Sequence, residues 1–221
     1  MHTPLNELLL NAEGSIKRGI GGIKLKVGQP DQALDVQRVS AVRQHLGEAV
    51  PLMIDANQQW SRPTAQRLCR HFEPLNLVRI EEPLDAYDHA GHAALAAMFD
   101  TPIATGEVLT SAAEHAALIR HQAADVLMPD APRVGGITPF LKIAALADHA
   151  GLLLAPHFAM ELHVHLAAAY PREPWVEPLF NERIAIKGGR MQVPTRPGLG
   201  LSLSDFARHC TVDTAEFGKR P

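Results

Sequence analysis

The chain has 221 residues, 46% of them hydrophobic, which suits one domain with a sizeable core or one domain plus a small remnant. A formal net charge of −3 gives no broad field for nucleic acid or an anionic membrane, and no apolar run approaches the roughly 20 residues of a membrane helix. Cys69 and Cys210 offer neither a disulfide framework nor zinc-ligand spacing, and Met1-His2-Thr3-Pro4 lacks the basic and apolar parts of a signal peptide, so a reduced cytoplasmic protein is expected.

In chain order, short apolar runs alternate with longer amphipathic ones. The short runs read as strands: Gly22 to Val27, Pro51 to Asp55, Leu77 to Glu81, Pro102 to Gly106, Val126 to Met128 and Leu152 to Ala155. Helical stretches between them include Asp31 to Leu46, Ser111 to His121 and Thr138 to His149; Pro63 opens another just after Ser61. Strand–helix alternation means parallel pairing with right-handed crossovers. The repeat is about 25 residues, the size of one βα unit of a barrel. The competing fold is a doubly wound open sheet, whose dinucleotide-binding form is disfavoured because no Gly-x-Gly-x-x-Gly follows the first strand. Arg190 to Pro221 reads as an irregular tail with a short helix near Ser204 to His209.

Each expected strand ends in an ionisable residue: Lys24 and Lys26, then Asp55, Glu81, Glu107, Asp130, His157 and, last, Glu177. In a barrel all strand C-termini meet at one mouth, so these groups converge there. Three carboxylates from successive strands (Asp55, Glu81, Glu107) suit a hard cation such as Mg²⁺, which prefers oxygen and leaves positions for water or substrate. Lys24 and Lys26 share one strand face, and their mutual repulsion is expected to lower at least one pKa towards general-base range. His157 lies across the ring from Lys26 by strand order, and Asp130 is placed to orient its imidazole.

These residues sit in recognisable phrases: Lys24-x-Lys26, Asp55-Ala56-Asn57, Ile80-Glu81-Glu82-Pro83, Gly106-Glu107, Pro129-Asp130 with Arg133-Val134-Gly135-Gly136-Ile137-Thr138, and Pro156-His157. In order and at barrel spacing, from about Thr3 to Glu177, they resemble the mandelate racemase subgroup of the enolase superfamily. Longer phrases, such as residues 22–30, 81–88, 130–137, 155–161 and the closing 216–221, are similar to its galactarate/L-talarate dehydratases.

The resemblance implies an (β/α) barrel over residues 1–180, lacking its first strand and the N-terminal capping domain, with 181–221 a tail that packs on the capping region. It implies a lyase that binds Mg²⁺ through Asp55, Glu81 and Glu107 and removes the proton next to a carboxylate. Lys26 is then one acid/base and His157, oriented by Asp130, the other. Lys24 lowers the pKa of Lys26 and contacts the substrate carboxylate, Asn57 sits beside the metal, and Glu177 hydrogen-bonds the enediolate. The product is a 2-keto-3-deoxy acid. The only partner expected is the acid sugar, with no nucleic acid or membrane, and a homo-oligomer for the full-length protein. A racemase or epimerase of the same superfamily and a non-catalytic fragment are the alternatives.

Blander readings stand beside these. Glu82 rivals Glu81 as a ligand, but strand alternation is expected to send it the other way. Asp125 reads as a strand-start carboxylate without a role, and His163 and His165 as surface or packing histidines rather than metal ligands. The connection after Glu177 is shorter than the family's, which puts its placement in question.

Overall fold

In the computed structural model, the described residues are 3–177, 184–200, 202, 205–210, 212 and 213. The closing phrase 216–221, the residues just after Glu177 and the first residue of the expected tail helix lie outside them.

Six parallel strands form one sheet: β1 Ile23–Lys26, β2 Leu52–Asp55, β3 Arg79–Glu81, β4 Ile103–Thr105, β5 Val126–Leu127 and β6 Leu153–Leu154. Their order in the sheet is their order in the chain. Each βα unit therefore adds to the same side, as in a barrel wall; a doubly wound sheet reverses direction partway. The helices are α1 Leu5–Lys17, α2 Gln32–Leu46, α3 Arg62–Phe72, α4 His89–Met98, α5 Ala112–Arg120, α6 Ile137–His149 and α7 Met160–Ala167. Asp31, Ser61, Asp88 and Ser111 cap α2 to α5, each accepting a bond from a first-turn backbone N–H.

Alternation along the strands separates two environments. Ile23, Leu25, Leu52, Ile54 and Ile80 face the helices and are buried with Val39, Leu68 and Phe72. Leu127 and Leu154 do the same against Leu118, Phe140 and Ile143. Burying one such side chain contributes about 1.5–3 kcal/mol. The opposite strand face carries Lys24, Lys26, Asp55, Arg79 and Glu81, and beyond them an apolar cluster of Ala104, Val126, Met128 and Ala155 against Trp175.

Two expectations change. Glu177 does not end a strand: residues 173–177 lie beside the sheet without ladder pairing. The tail is not wholly irregular before its helix α8 (Asp205–His209), because β7 Ile186–Lys187 and β8 Arg190–Met191 form a hairpin. Its turn is Gly188-Gly189, with φ of 57° and 77°. That left-handed pair matches the twist of a tight hairpin, and the Gly-Gly dipeptide was the available signal. The turn packs on β1's approach so closely that a Cβ on Gly21 would meet the Gly189 carbonyl oxygen at 2.7 Å.

Candidate active site

The parallel register sets Lys26 opposite Asp55, and Asp55 opposite Glu81, at the C-terminal ends of β1, β2 and β3. Laterally paired residues point to the same sheet face, so the three side chains enter one space. Glu107 lies two residues past β4. Gly106, at φ 124°, turns the chain there, and a Cβ on it would crowd His115 Nε2 at 3.3 Å. Asp55, Glu81 and Glu107 are all buried and each offers an oxygen within 4.8 Å of the others.

Such proximity is costly without a positive partner. Burial, reinforced by Asp55, pushes the Glu81 carboxyl up to about 8 against the pull of Lys24 and Arg79. Burial and Asp55 also raise Glu107, and its Oε2 has no hydrogen-bond partner. Asp55 goes the other way: burial raises it, but Lys24 and Lys26 outweigh that and hold it below the ordinary carboxylate range. The donor set fits a hard divalent cation. Three carboxylate oxygens this close together would hold such an ion, which would supply the positive charge the cluster lacks.

Lys24 itself is not the lysine whose pKa mutual repulsion lowers. Burial pulls its ammonium down, yet Glu81, Glu177 and Asp55 together raise its pKa well above the usual lysine value. Its Nζ lies 2.6 Å from Glu81 Oε1 and 3.5 Å from Asp55 Oδ2, and it also bonds Glu177. Carboxylates outnumber the neighbouring lysine, so attraction governs, not repulsion. Lys26 is much more open, with a side chain 62% exposed, and bonds Asp55 Oδ2. Glu177 reaches the site from its irregular segment through Lys24, which holds its carboxyl low against the upward push of burial.

On the far side of the cluster, His157 Nε2 stands 3.4 Å from Glu107 Oε2. Its Nδ1 is 3.1 Å from Asp130 Oδ2. The Nδ1–H tautomer satisfies Asp130 and leaves Nε2 as the free base. Asp130 is fixed in turn by the Arg133 backbone N–H, which donates to Oδ1 at 3.1 Å. Lys26 at the Asp55 end and His157 at the Glu107 end thus flank the three carboxylates.

Asn57 contributes its backbone N–H to Asp55 Oδ1 at 2.9 Å. Glu82 departs from simple alternation. Its φ is 40°, it is fully buried, and Gln58 Nε2 donates to its Oε2 at 2.9 Å. Burial and Glu107 raise its pKa to about 7, so it remains within electrostatic reach of the site while standing outside the three-carboxylate cluster. Asp125 does hold a backbone group: its Oδ2 accepts from Ile103 N at 2.8 Å. His165 Nε2 lies 3.1 Å from the Leu199 carbonyl, whereas His163 is fully buried against Ala131. Sequence reading also passed over Arg79, 2% exposed, whose Nε and Nη2 both donate to Glu81 Oε2 at 3.2 Å. Its position two residues before Glu81 on the same strand was the available signal.

The chain is 60% identical over its whole length to the L-talarate/galactarate dehydratase of Salmonella typhimurium, and covers 57% of that protein. The crystal structure of L-talarate dehydratase from Polaromonas sp. JS666, complexed with Mg and L-glucarate, superposes with a TM-score of 0.94 at 75% identity, covering all of this chain and 63% of that one. A racemase from Streptomyces coelicolor A3(2) with bound magnesium gives 0.88 at 37% identity, covering 93% of this chain and 58% of the other. The chain therefore spans little more than half the length of its relatives. Residues 7–207 match the Enolase C-terminal domain-like family, and the chain belongs to it.

Proposed function

We propose that these residues carry the active site of an acid-sugar dehydratase of the galactarate/L-talarate type. The observation behind this reading is the buried Asp55–Glu81–Glu107 cluster with Lys26 at one end and His157 at the other. Relatives named for L-talarate and galactarate dehydration, one complexed with Mg and L-glucarate, support it.

Asp55, Glu81 and Glu107 would hold Mg²⁺. When bound, the cation polarises the substrate carboxylate and stabilises the enediolate charge that develops on proton loss. The chain's own residues do the rest. Lys24 receives the substrate carboxylate as a charged donor, and Asn57 and Glu177 line the same mouth. One of Lys26 and His157 takes the α-proton. The other, on the opposite face, gives a proton to the departing β-hydroxyl, which leaves as water. Asp130 keeps the His157 ring oriented throughout. The resulting enol ketonises to a 2-keto-3-deoxy acid.

In this reading residues 1–180 are the catalytic barrel and 181–221 a tail that packs on a capping region. The full-length protein is a cytoplasmic homo-oligomer whose partner is the acid sugar. No helix among the described residues is long and apolar enough to cross a membrane.

Two acid/base groups on opposite faces would also serve a racemase or epimerase. A panel of acid sugars with Mg²⁺, at high protein concentration, separates the two. A dehydratase gives a 2-keto product that reacts with semicarbazide. Solvent deuterium incorporated with inverted configuration, and no keto product, would replace this reading by the second.

A further inference from the structure

His163 has no place in the chemistry above, yet the fold invests heavily in it. It lies in the first turn of α7 and is completely buried. Its ring stacks on the buried Phe140, with centroids 5.5 Å apart and planes inclined by 28°. Its Nε2 accepts the backbone N–H of Ala131 at 2.9 Å. Its Nδ1 is buried and makes no hydrogen bond among the described residues. Ala131 directly follows Asp130, and Phe158 directly follows His157. The imidazole therefore holds the backbone amide immediately behind Asp130, the residue that bonds His157.

The segment that carries His157 is constrained as well. Phe158 sits at φ 61°, a left-handed conformation that a bulky residue adopts only when its surroundings over-determine it. Its ring stacks beside that of His157, with centroids 5.7 Å apart. On the other side, the Ala131 amide directs the turn from which Asp130 reaches His157 Nδ1. An acceptor for that amide must be an unprotonated nitrogen. Burial depresses the pKa of His163, against smaller upward pulls from Asp130 and the Phe158 backbone, which keeps Nε2 available.

We propose that His163 is a positioning residue for the acid/base pair, its Nε2 anchoring Ala131 so that Asp130 holds His157 in the Nδ1–H tautomer. This inference rests on the reading of His157 as an acid/base, but it makes a claim about ring chemistry that needs no turnover. A free imidazole in water favours the Nε2–H form, and Glu107 Oε2, 3.4 Å from Nε2, favours it further, so a neutral His157 ring with its proton on Nδ1 reports that Asp130 is in place.

The test is long-range ¹H–¹⁵N spectroscopy of the 221-residue chain labelled at its imidazoles, with His157 assigned by its loss in His157→Gln. His163→Gln keeps an acceptor near Nε2, whereas His163→Met fills similar space without one. The parent and the Gln variant are expected to show His157 as Nδ1–H. The Met variant is expected to show a mixture dominated by Nε2–H, with an otherwise native amide spectrum. If the Met variant does not fold, His163→Asn, whose shorter amide stops short of Ala131, takes its place. Retention of Nδ1–H without the acceptor overturns the proposal, and so does its loss in the Gln variant. Failure of the dehydratase reading would look different: no keto product from the parent chain, whatever the tautomer of His157.

Discussion

Lys24 on β1 reaches past β2 to Glu81 on β3, with Nζ 2.6 Å from Oε1. The ammonium thus leans on the same carboxylate that the cation would use. Replacing Lys24 by Met keeps the stem and removes the charge. A charged hydrogen bond is worth about 1.5–3 kcal/mol, so KM for galactarate is expected to rise about tenfold to a hundredfold. Mg²⁺ affinity, measured by calorimetry, is expected to hold or tighten, because a competing positive charge is gone. A tenfold weakening of Mg²⁺ binding would mean that Lys24 organises the ligands instead.

Arg79 acts on the opposite oxygen of Glu81. Its guanidinium donates twice to Oε2 from a fully enclosed position, and Nη1 has no partner. Stranding a buried charge costs about 3–5 kcal/mol; Glu81 keeps Lys24 at its other oxygen, so the loss of Arg79 costs only part of that. Arg79→Met is therefore expected to lower the midpoint of metal-free thermal unfolding by several degrees. Added Mg²⁺ should recover part of that loss, since it supplies Glu81 with a new positive neighbour. A midpoint equal to that of the parent would show that the pair contributes nothing net.

The raised carboxylates set a pH dependence whose sign can be worked out. Glu81 titrates at about 8 and Glu82 at about 7 in the folded chain, both above their ordinary carboxylate value. Between the unfolded and folded pKa values, the folded state binds more protons, so this contribution is full at low pH and lost as pH rises through the folded pKa. His92, His115 and His163 are depressed by burial and contribute the opposite trend, but theirs is complete once pH exceeds the unfolded histidine value. From about pH 7 to pH 8.5, the carboxylates dominate. Without divalent cations, unfolding free energy is expected to fall across that window. Mg²⁺ needs the deprotonated ligands, so its stabilising effect should grow across the same window. A flat profile in chelator would remove the basis for the raised values.

Lys26→Ala and His157→Ala are expected to lower kcat for dehydration by about 10²–10⁴-fold each, the usual worth of a positioned acid or base. Mg²⁺ affinity should change little. Neither is among the three carboxylates, although Lys26 bonds Asp55 and His157 lies near Glu107. Near-parental kcat in both variants would mean that the essential acid/base lies elsewhere.

Much of this arrangement was legible because a parallel barrel converts strand order into geometry. Once Asp55, Glu81 and Glu107 were placed at successive strand ends, their convergence followed from topology. The upward shift of Lys24 was not legible because a sequence shows its nearest neighbour, Lys26, and not the three carboxylates brought to it from 31, 57 and 153 residues away. Glu82 escaped the alternation rule through a local turn at φ 40° that no residue type announced. His163 looked ordinary because its importance lies in a backbone amide 32 residues earlier, and backbone amides leave no mark on sequence.

The 221-residue chain by itself is expected to turn galactarate over at least about 10²-fold more slowly than the Salmonella typhimurium enzyme, while binding Mg²⁺ with comparable affinity. Among the described residues, β1 and β6 pair with nothing on their outer sides. Asp55, Glu81 and Glu107 stand on or just past β2, β3 and β4, each flanked by paired strands, so the cation site is braced on both sides. Lys24 and Lys26 are on the free edge. Beside that edge a cavity of about 690 Å³ runs between Ile20–Gly22 and Trp175–Val176, immediately before Glu177. Lys26 is largely exposed, so water screens the base and the charge it must help to create. A shift of about 1 Å in such a group can cost roughly 10²-fold in rate. Calorimetry with Mg²⁺ and steady-state assays, run on both proteins in one buffer, decide the matter. Turnover within tenfold of the Salmonella enzyme would show that these 221 residues position Lys26 and Glu177 well enough for catalysis.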